Sequence, residues 1–201
     1  HCLSSAASDV YKRQMRIKIK NYKKVKSTND VAMKLIKRNI LEPTLITSEK
    51  QTNGRGRIGK KWISLKGNLF ITLFFEFDQK KINFKQFAVL NAFLLKKVIS
   101  NIISKKIKIK WPNDLLFNKL KFCGILQEVI KFNNFDYLIV GIGLNTNTVP
   151  QNESFKSTCL KNIINKKIDN QKILKKIVIA YEKFLGEKNK LSFLDLKMKY
   201  K

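Results

Sequence analysis

The sequence predicts an α+β domain built on a mixed, largely antiparallel sheet flanked by helices. Three observations carry that prediction. Short segments rich in β-branched and aromatic residues recur along the chain, with Asn68–Phe77 the strongest of them. Two such segments, Leu115–Phe117 and Phe122–Ile130, flank Asn118-Lys119, which suits a hairpin turn. Helical patterns occur singly among the strands, so the chain does not read as a regular series of βαβ units.

In chain order, residues 16–25 alternate weakly and predict a first strand. Ser27-Thr28-Asn29-Asp30 reads as a helix start capped by Ser27 or Thr28, with Val31, Leu35 and Ala32, Ile36 paired at i, i+4 behind it. Pro43 breaks the chain, and Thr44–Ser48 reads as a short buried strand. Phe84, Phe87, Ala88, Asn91, Leu95, Val98 and Ile102 fall at helical spacing, predicting a helix over 84–104. Ile107–Lys110 alternates as a strand, and Phe135–Leu144 reads as the last one. Helices are predicted over 154–166 and 171–185, the second with Ile173, Leu174, Ile177, Val178, Tyr181 and Leu185 on one face. Residues 1–14 read as an extraneous leader before Met15, residues 15–190 as one catalytic domain, and 191–201 as the start of a truncated C-terminal region.

Composition removes several chemistries. The one histidine is His1, in the leader, so Ser-His-Asp and Cys-His catalysis and histidine-ligated metal sites are not expected. Cys123 and Cys159 lie far apart and form no C-x-x-C, which fits a reduced, cytoplasmic protein. No uninterrupted apolar run reaches the ~18 residues of a membrane span. The net charge of +28 suggests nucleic acid, but the lysines are spread along the whole chain, whereas a footprint should be clustered.

The chain holds 37 lysines and five arginines, and two of the five sit in Gly54-Arg55-Gly56-Arg57-Ile58-Gly59-Lys60-Lys61-Trp62. A guanidinium is planar and grips a carboxylate or phosphate with two parallel hydrogen bonds. Glycines let the backbone approach a ligand closely. The loop therefore reads as a cationic flap for a small anionic substrate. It is not a P-loop: Lys61 stands where a hydroxyl should meet magnesium, and a strand follows where a helix should begin. Gly141-Ile142-Gly143 is not a dinucleotide fingerprint, since Thr146 replaces the third glycine. Taken alone, it reads as a strand whose backbone passes close to something. Lys110-Trp111-Pro112-Asn113-Asp114 places an amide and a carboxylate at a rigid strand end.

Together these segments resemble the catalytic domain of the biotin protein ligases, also called holocarboxylase synthetases. The resemblance rests on Ser27-Thr28-Asn29, on Gln51-x-x-Gly54-Arg55-Gly56-Arg57-x-Gly59-x-x-Trp62, and on Gly67-Asn68-Leu69. It continues through Lys110-Trp111-Pro112-Asn113-Asp114, Lys121-x-x-Gly124-Ile125-Leu126-x-Glu128 and Gly141-Ile-Gly-Leu-Asn145. The blocks occur in the family's order and run from about residue 20 to 185.

The resemblance implies a fold like that of the lipoate ligases and class II aminoacyl-tRNA synthetases. It also implies two reactions: biotin and ATP form biotinyl-5′-AMP, and a carrier-domain lysine then takes the biotin. By that analogy Ser27, Thr28, Asn29, Gln51, Arg55, Gly56, Arg57, Lys121 and Gly124 bind biotin. Arg55, Arg57, Trp62, Asn113, Lys121 and Asn145 bind ATP. Arg55, Lys121 and Asp114 are the catalytic candidates, Asp114 orienting or deprotonating the incoming amine. Mg²⁺ would be held by the phosphates rather than by a protein cage. The implied partner is a biotin carboxyl carrier protein or biotin-dependent carboxylase, with no membrane or DNA, and with the enzyme a monomer or homodimer. Too few residues precede Ser27 for a helix-turn-helix, so a monofunctional ligase is expected. A lipoate or octanoate transferase on the same scaffold, and a basic nucleic-acid-binding module, remain as alternatives.

Overall fold

The computed structural model describes residues 16–151 and 156–201. Seven strands form one sheet: β1 (Lys18–Val25), β2 (Thr44–Gln51), β3 (Leu69–Phe77), β4 (Lys108–Lys110), β5 (Asp114–Phe117), β6 (Leu120–Phe132) and β7 (Phe135–Leu144). Their order is β1-β2-β3-β7-β6-β5-β4. Only β1 and β2 run parallel, joined by the crossover helix α1 (Thr28–Lys37); the other neighbours are antiparallel. The expected mixed, largely antiparallel α+β architecture is what the chain adopts. Asn118 and Lys119 both take positive φ (47° and 68°), as does the Asn133-Asn134 pair (48° and 64°), so two-residue turns join β5–β6 and β6–β7.

Period-two alternation divides each long strand between two cores. From β3, Leu69, Ile71, Leu73, Phe75 and Phe77 face the larger core, as do Leu138, Val140, Ile142 and Leu144 from β7. That core is closed by helices α2 (Phe84–Ile103), α4 (Asn170–Glu187) and α5 (Phe193–Tyr200). On the opposite face Phe74, Tyr137 and Ile139 pack with Ala32, Leu35 and Ile36 of α1. Helix α2 is long and apolar enough to cross a bilayer by length and composition, but its buried side packs into the larger core. Its capping box pairs Asn83 with Gln86.

Two expectations change. The helix predicted over 154–166 is limited, among the described residues, to α3 (Leu160–Ile164). Residues 156–158 are instead drawn against the start of β6: Lys121 N donates to Lys156 O (3.1 Å) and Thr158 N to Lys121 O (2.9 Å). Tertiary pairing here outweighs local helical spacing. Within 191–201, the sequence reading passed over helix α5. Ser192 and Asp195 form its capping box, and Leu196 and Tyr200 are buried in the larger core. The leader reading of residues 1–14 lies outside the described residues.

Candidate active site

The site lies on the α1 face of the sheet, where the alternation that delivers Tyr137 and Ile139 to α1 next delivers Gly141 and Gly143. Neither position has room for a side chain. A Cβ at Gly141 would collide with the Asn29 carboxamide, and one at Gly143 would stand 2.5 Å from Trp62 Cζ2. Gly124, directly across from Gly143 on β6, is equally constrained, with Trp62 Cζ3 2.7 Å from its would-be Cβ. The glycine strand therefore does pass close to something: it seats Asn29 and the indole of Trp62.

Above this floor is a cavity of about 670 Å³. One end is neutral and polar. Gln51 Oε1 accepts from Thr28 N (2.8 Å) and Thr28 Oγ1 (3.0 Å), so a side chain from β2 caps the first turn of α1. Ser27 occupies the N-cap position, but its side chain makes no capping bond. Gln51 Nε2 donates to Ser64 Oγ at 3.1 Å. Thr72 Oγ1 lies 2.7 Å from Thr28 Oγ1 and 2.6 Å from Asn29 Oδ1. Asn29 Nδ2 donates to Glu128 Oε2 at 2.6 Å.

The other end is cationic. Residues 54–62 form a small hairpin, closed by Gly56 N→Lys60 O (2.6 Å) and Trp62 N→Gly54 O (2.8 Å), with Ile58 at its exposed tip. Arg57, Lys60 and Lys61 from this hairpin line the cavity together with Lys110, Lys119, Lys121 and Lys156. Lys121 Nζ pairs with Asp114 Oδ1 at 2.8 Å and lies 5.5 Å from the centre of the Trp62 ring. Asn113 ties the Lys110–Asp114 turn to β6: its Nδ2 donates to Ile125 O at 3.0 Å, and its carbonyl accepts from Ile125 N at 2.8 Å. Its Oδ1 accepts from Arg57 Nη1 at 3.3 Å.

The two arginines of the loop have different circumstances. Arg55 makes a bidentate pair with Glu128 (Nη1–Oε1 2.7 Å, Nη2–Oε2 2.9 Å), and its Nη2 also meets Asp30 Oδ1 at 2.9 Å. Burial opposes the Arg55 charge, but the two carboxylates outweigh it and raise the pKa. The two carboxylates offset the guanidinium charge locally. Arg55 thus fastens the loop to α1 and β6, and it also lines the cavity. Arg57 has one long hydrogen bond to a neutral amide among the described residues, and with Lys60 and Lys61 it is a cation the loop presents to the cavity.

Thus Ser27, Thr28, Asn29, Gln51, Arg55, Gly56, Arg57, Trp62, Asn113, Asp114, Lys121 and Gly124 share one cavity wall. Asn145 does not join them. It is buried, donates through Nδ2 to Thr158 O (3.2 Å) and through its backbone N to Phe122 O (2.7 Å), and so joins the end of β7 to β6 and the following segment. Its Oδ1 is buried without a hydrogen-bond partner among the described residues. Asp30, Thr72, Glu128 and Lys156 were missed as site residues. Glu128 carried a signal, standing four residues beyond Gly124 and so on the same strand face.

A model of the biotin/lipoate A/B protein ligase family matches residues 9–145. The chain belongs to this family. The bifunctional ligase/repressor BirA of Bacillus subtilis is 33% identical over 163 residues, covering 78% of this chain and 50% of that protein. The biotin–[acetyl-CoA-carboxylase] ligase of Paracoccus denitrificans is 31% identical over 127 residues, covering 62% of this chain and 52% of that protein. Among solved structures, the Aquifex aeolicus biotin protein ligase in complex with biotin and ATP superposes with a TM-score of 0.77 at 31% identity, covering 91% of this chain and 76% of that one. The chain thus spans about half the length of the curated family members it matches. Family membership accounts for the shared blocks; the local bonding explains why these residue types stand in them.

Proposed function

We propose that this chain is the catalytic part of an ATP-dependent biotin–protein ligase. The observation that carries the reading is one cavity whose ends differ in chemistry: hydroxyls and amides at the Thr28–Asn29–Gln51 end, and lysines with Arg57 at the other. Biotin's ureido ring has two N–H donors and a carbonyl acceptor, which suit neutral polar partners. A dithiolane has no such donors, which favours biotin over lipoate. The similar Aquifex aeolicus structure, whose name records biotin and ATP, supports the same assignment.

In this reading biotin's carboxylate attacks the α-phosphorus of ATP, the bond to the β-phosphate oxygen breaks, and pyrophosphate leaves. Two anions must meet, so Arg57 and Lys121 lower their repulsion and stabilise the charge that develops on the phosphoryl oxygens. ATP brings its own Mg²⁺ as the substrate complex. No cluster of three His, Cys, Asp or Glu that would hold a metal occurs among the described residues. Trp62 has one face on Gly124 and Gly143, and its other face is the candidate stacking surface for adenine. In the second step a carrier lysine attacks the acyl carbon, AMP leaves, and Asp114 is the proposed acceptor of the amine proton. Covering the anhydride with the 54–62 hairpin would keep water from it.

Biotin-dependent exchange of labelled pyrophosphate into ATP tests the first step. A mass increase on one lysine of a biotin carboxyl carrier domain tests the second. Absence of exchange by folded protein given biotin and MgATP overturns the assignment.

A further inference from the structure

We propose that Glu128 is a positioning residue, coupling the grip on biotin to the closure of the cationic loop; this rests on the function proposed above. Three walls of the cavity come from different parts of the chain: the first turn of α1, the 54–62 hairpin, and β6. Glu128 joins all three. Its Oε1 accepts from Arg55 Nη1 at 2.7 Å, and its Oε2 accepts from both Arg55 Nη2 at 2.9 Å and Asn29 Nδ2 at 2.6 Å. Asp30, the residue after Asn29, meets the same guanidinium at 2.9 Å.

The consequence for Asn29 is orientational. Its Oδ1 is held by Thr72 Oγ1 at 2.6 Å and its Nδ2 by Glu128, so the amide cannot flip end for end without losing both partners. It rests in the gap over Gly141, where no side chain fits. The polar surface offered to a ureido ring is thereby given one fixed donor–acceptor sense. For the loop, a bidentate carboxylate fixes the plane of the Arg55 guanidinium as well as its distance. That fixes the base of the hairpin carrying Arg57 and Trp62. One carboxylate thus sets the polarity of one end of the cavity and anchors the lid at the other.

Glu128 touches no expected substrate atom, so it acts through Asn29 and Arg55. The two routes separate experimentally. Glu128→Gln keeps the volume but removes the charge and turns one acceptor oxygen into a donor, so it cannot hold Arg55 and Asn29 together as the carboxylate does, and biotin binding alone, measured by calorimetry, should weaken about tenfold, the worth of one good hydrogen bond. Release of biotinyl-5′-AMP from the loaded enzyme should also quicken about tenfold or more. Arg55→Ala should quicken release similarly but weaken biotin binding less than Glu128→Gln does, because Asn29 keeps its carboxylate partner. The double variant should release no faster than the faster single variant, because both act through one contact.

A purely structural strut would lower thermal stability without this split between biotin affinity and intermediate release. If Glu128→Gln fails to fold, Glu128→Asp is read in the same assays; its shorter reach should weaken biotin binding while the charge still pairs with Arg55. Biotin affinity and intermediate release both within about twofold of the parent, in whichever variant folds, overturn the proposal. A parent that makes no biotinyl adenylate removes the functional reading and this inference together. An active parent with unaffected variants removes this inference alone.

Discussion

Replacing Gly143 by alanine tests whether the glycine floor sets the geometry of the site. The added methyl would stand 2.5 Å from Trp62 Cζ2 and 2.7 Å from Trp62 Nε1. The glycine lies in β7, paired on both sides by β3 and β6, so its backbone cannot yield. The indole must therefore retreat by about 1 Å to reach ordinary contact. A misplacement of about 1 Å at a positioning group costs on the order of 100-fold in rate, or about 2.7 kcal/mol of barrier. The stability cost should fall toward the low end of the roughly 1–3 kcal/mol typical of overpacking, about 1 kcal/mol, because Trp62 is only half-buried and rides on a hairpin. We expect kcat/KM for biotin-dependent pyrophosphate exchange to fall about 100-fold while the circular dichroism spectrum is retained. Tryptophan emission should shift to the red in a Trp111→Phe background, where Trp62 is the remaining indole. Exchange within about threefold of the parent, with unshifted emission, would refute the argument that this seat aligns the reactants.

Other expectations follow from the same contacts. Gly186 lies within α4 with nothing within 4 Å of its would-be Cβ, so Gly186→Ala should stabilise the fold by about 0.5–1 kcal/mol, read as a rise in Tm. Arg57→Ala should leave stability within about 0.5 kcal/mol, because the side chain makes one 3.3 Å hydrogen bond, yet raise KM for MgATP about tenfold or more. An unchanged KM would remove Arg57 from anion binding. Stability should decline on the alkaline side. Burial, with help from the Asp114 charge, pushes the Cys123 thiol up, and burial does the same to Tyr181. Above about pH 8.5 for the thiol and about pH 10 for the phenol, the unfolded chain has released protons that the folded chain still holds. Stability therefore falls as pH rises. A Tm that stays level from pH 8 to roughly 11 would contradict the burial of these groups.

Much of the fold was legible because its signals are local. Phe135–Leu144 could be read as a strand from composition, and β7 has those bounds. The Asn118-Lys119 turn announced its hairpin, and helical spacing announced α2 and α4. The expected helix over 154–166 shrank because residues 156–158 found backbone partners at Lys121, more than 30 positions away. Helix α5 was overlooked although Ser192 and Asp195 stand at capping-box spacing. At the site, the unusual arginines and glycines located the loop, and the shared blocks located the cavity wall. Asn145 is placed at ATP by the resemblance alone, and its bonds to Thr158 and Phe122, invisible in the sequence, hold it in the scaffold beside the cavity lining.

By itself the sequence determined most of the strands and helices, that a cationic glycine-rich loop precedes the strongest strand, and that a glycine pair ends the last strand where its backbone passes close to something. Periodicity and residue chemistry suffice for those. Only the tertiary structure decided what each charge is used for. Arg55 and Arg57 are two residues apart and chemically identical, yet Arg55 faces Glu128 and Asp30 while Arg57 faces a neutral amide. A side chain's remaining capacity to bind depends on the partners it has already met, and here those partners come from β6, 73 positions along the chain, and from α1.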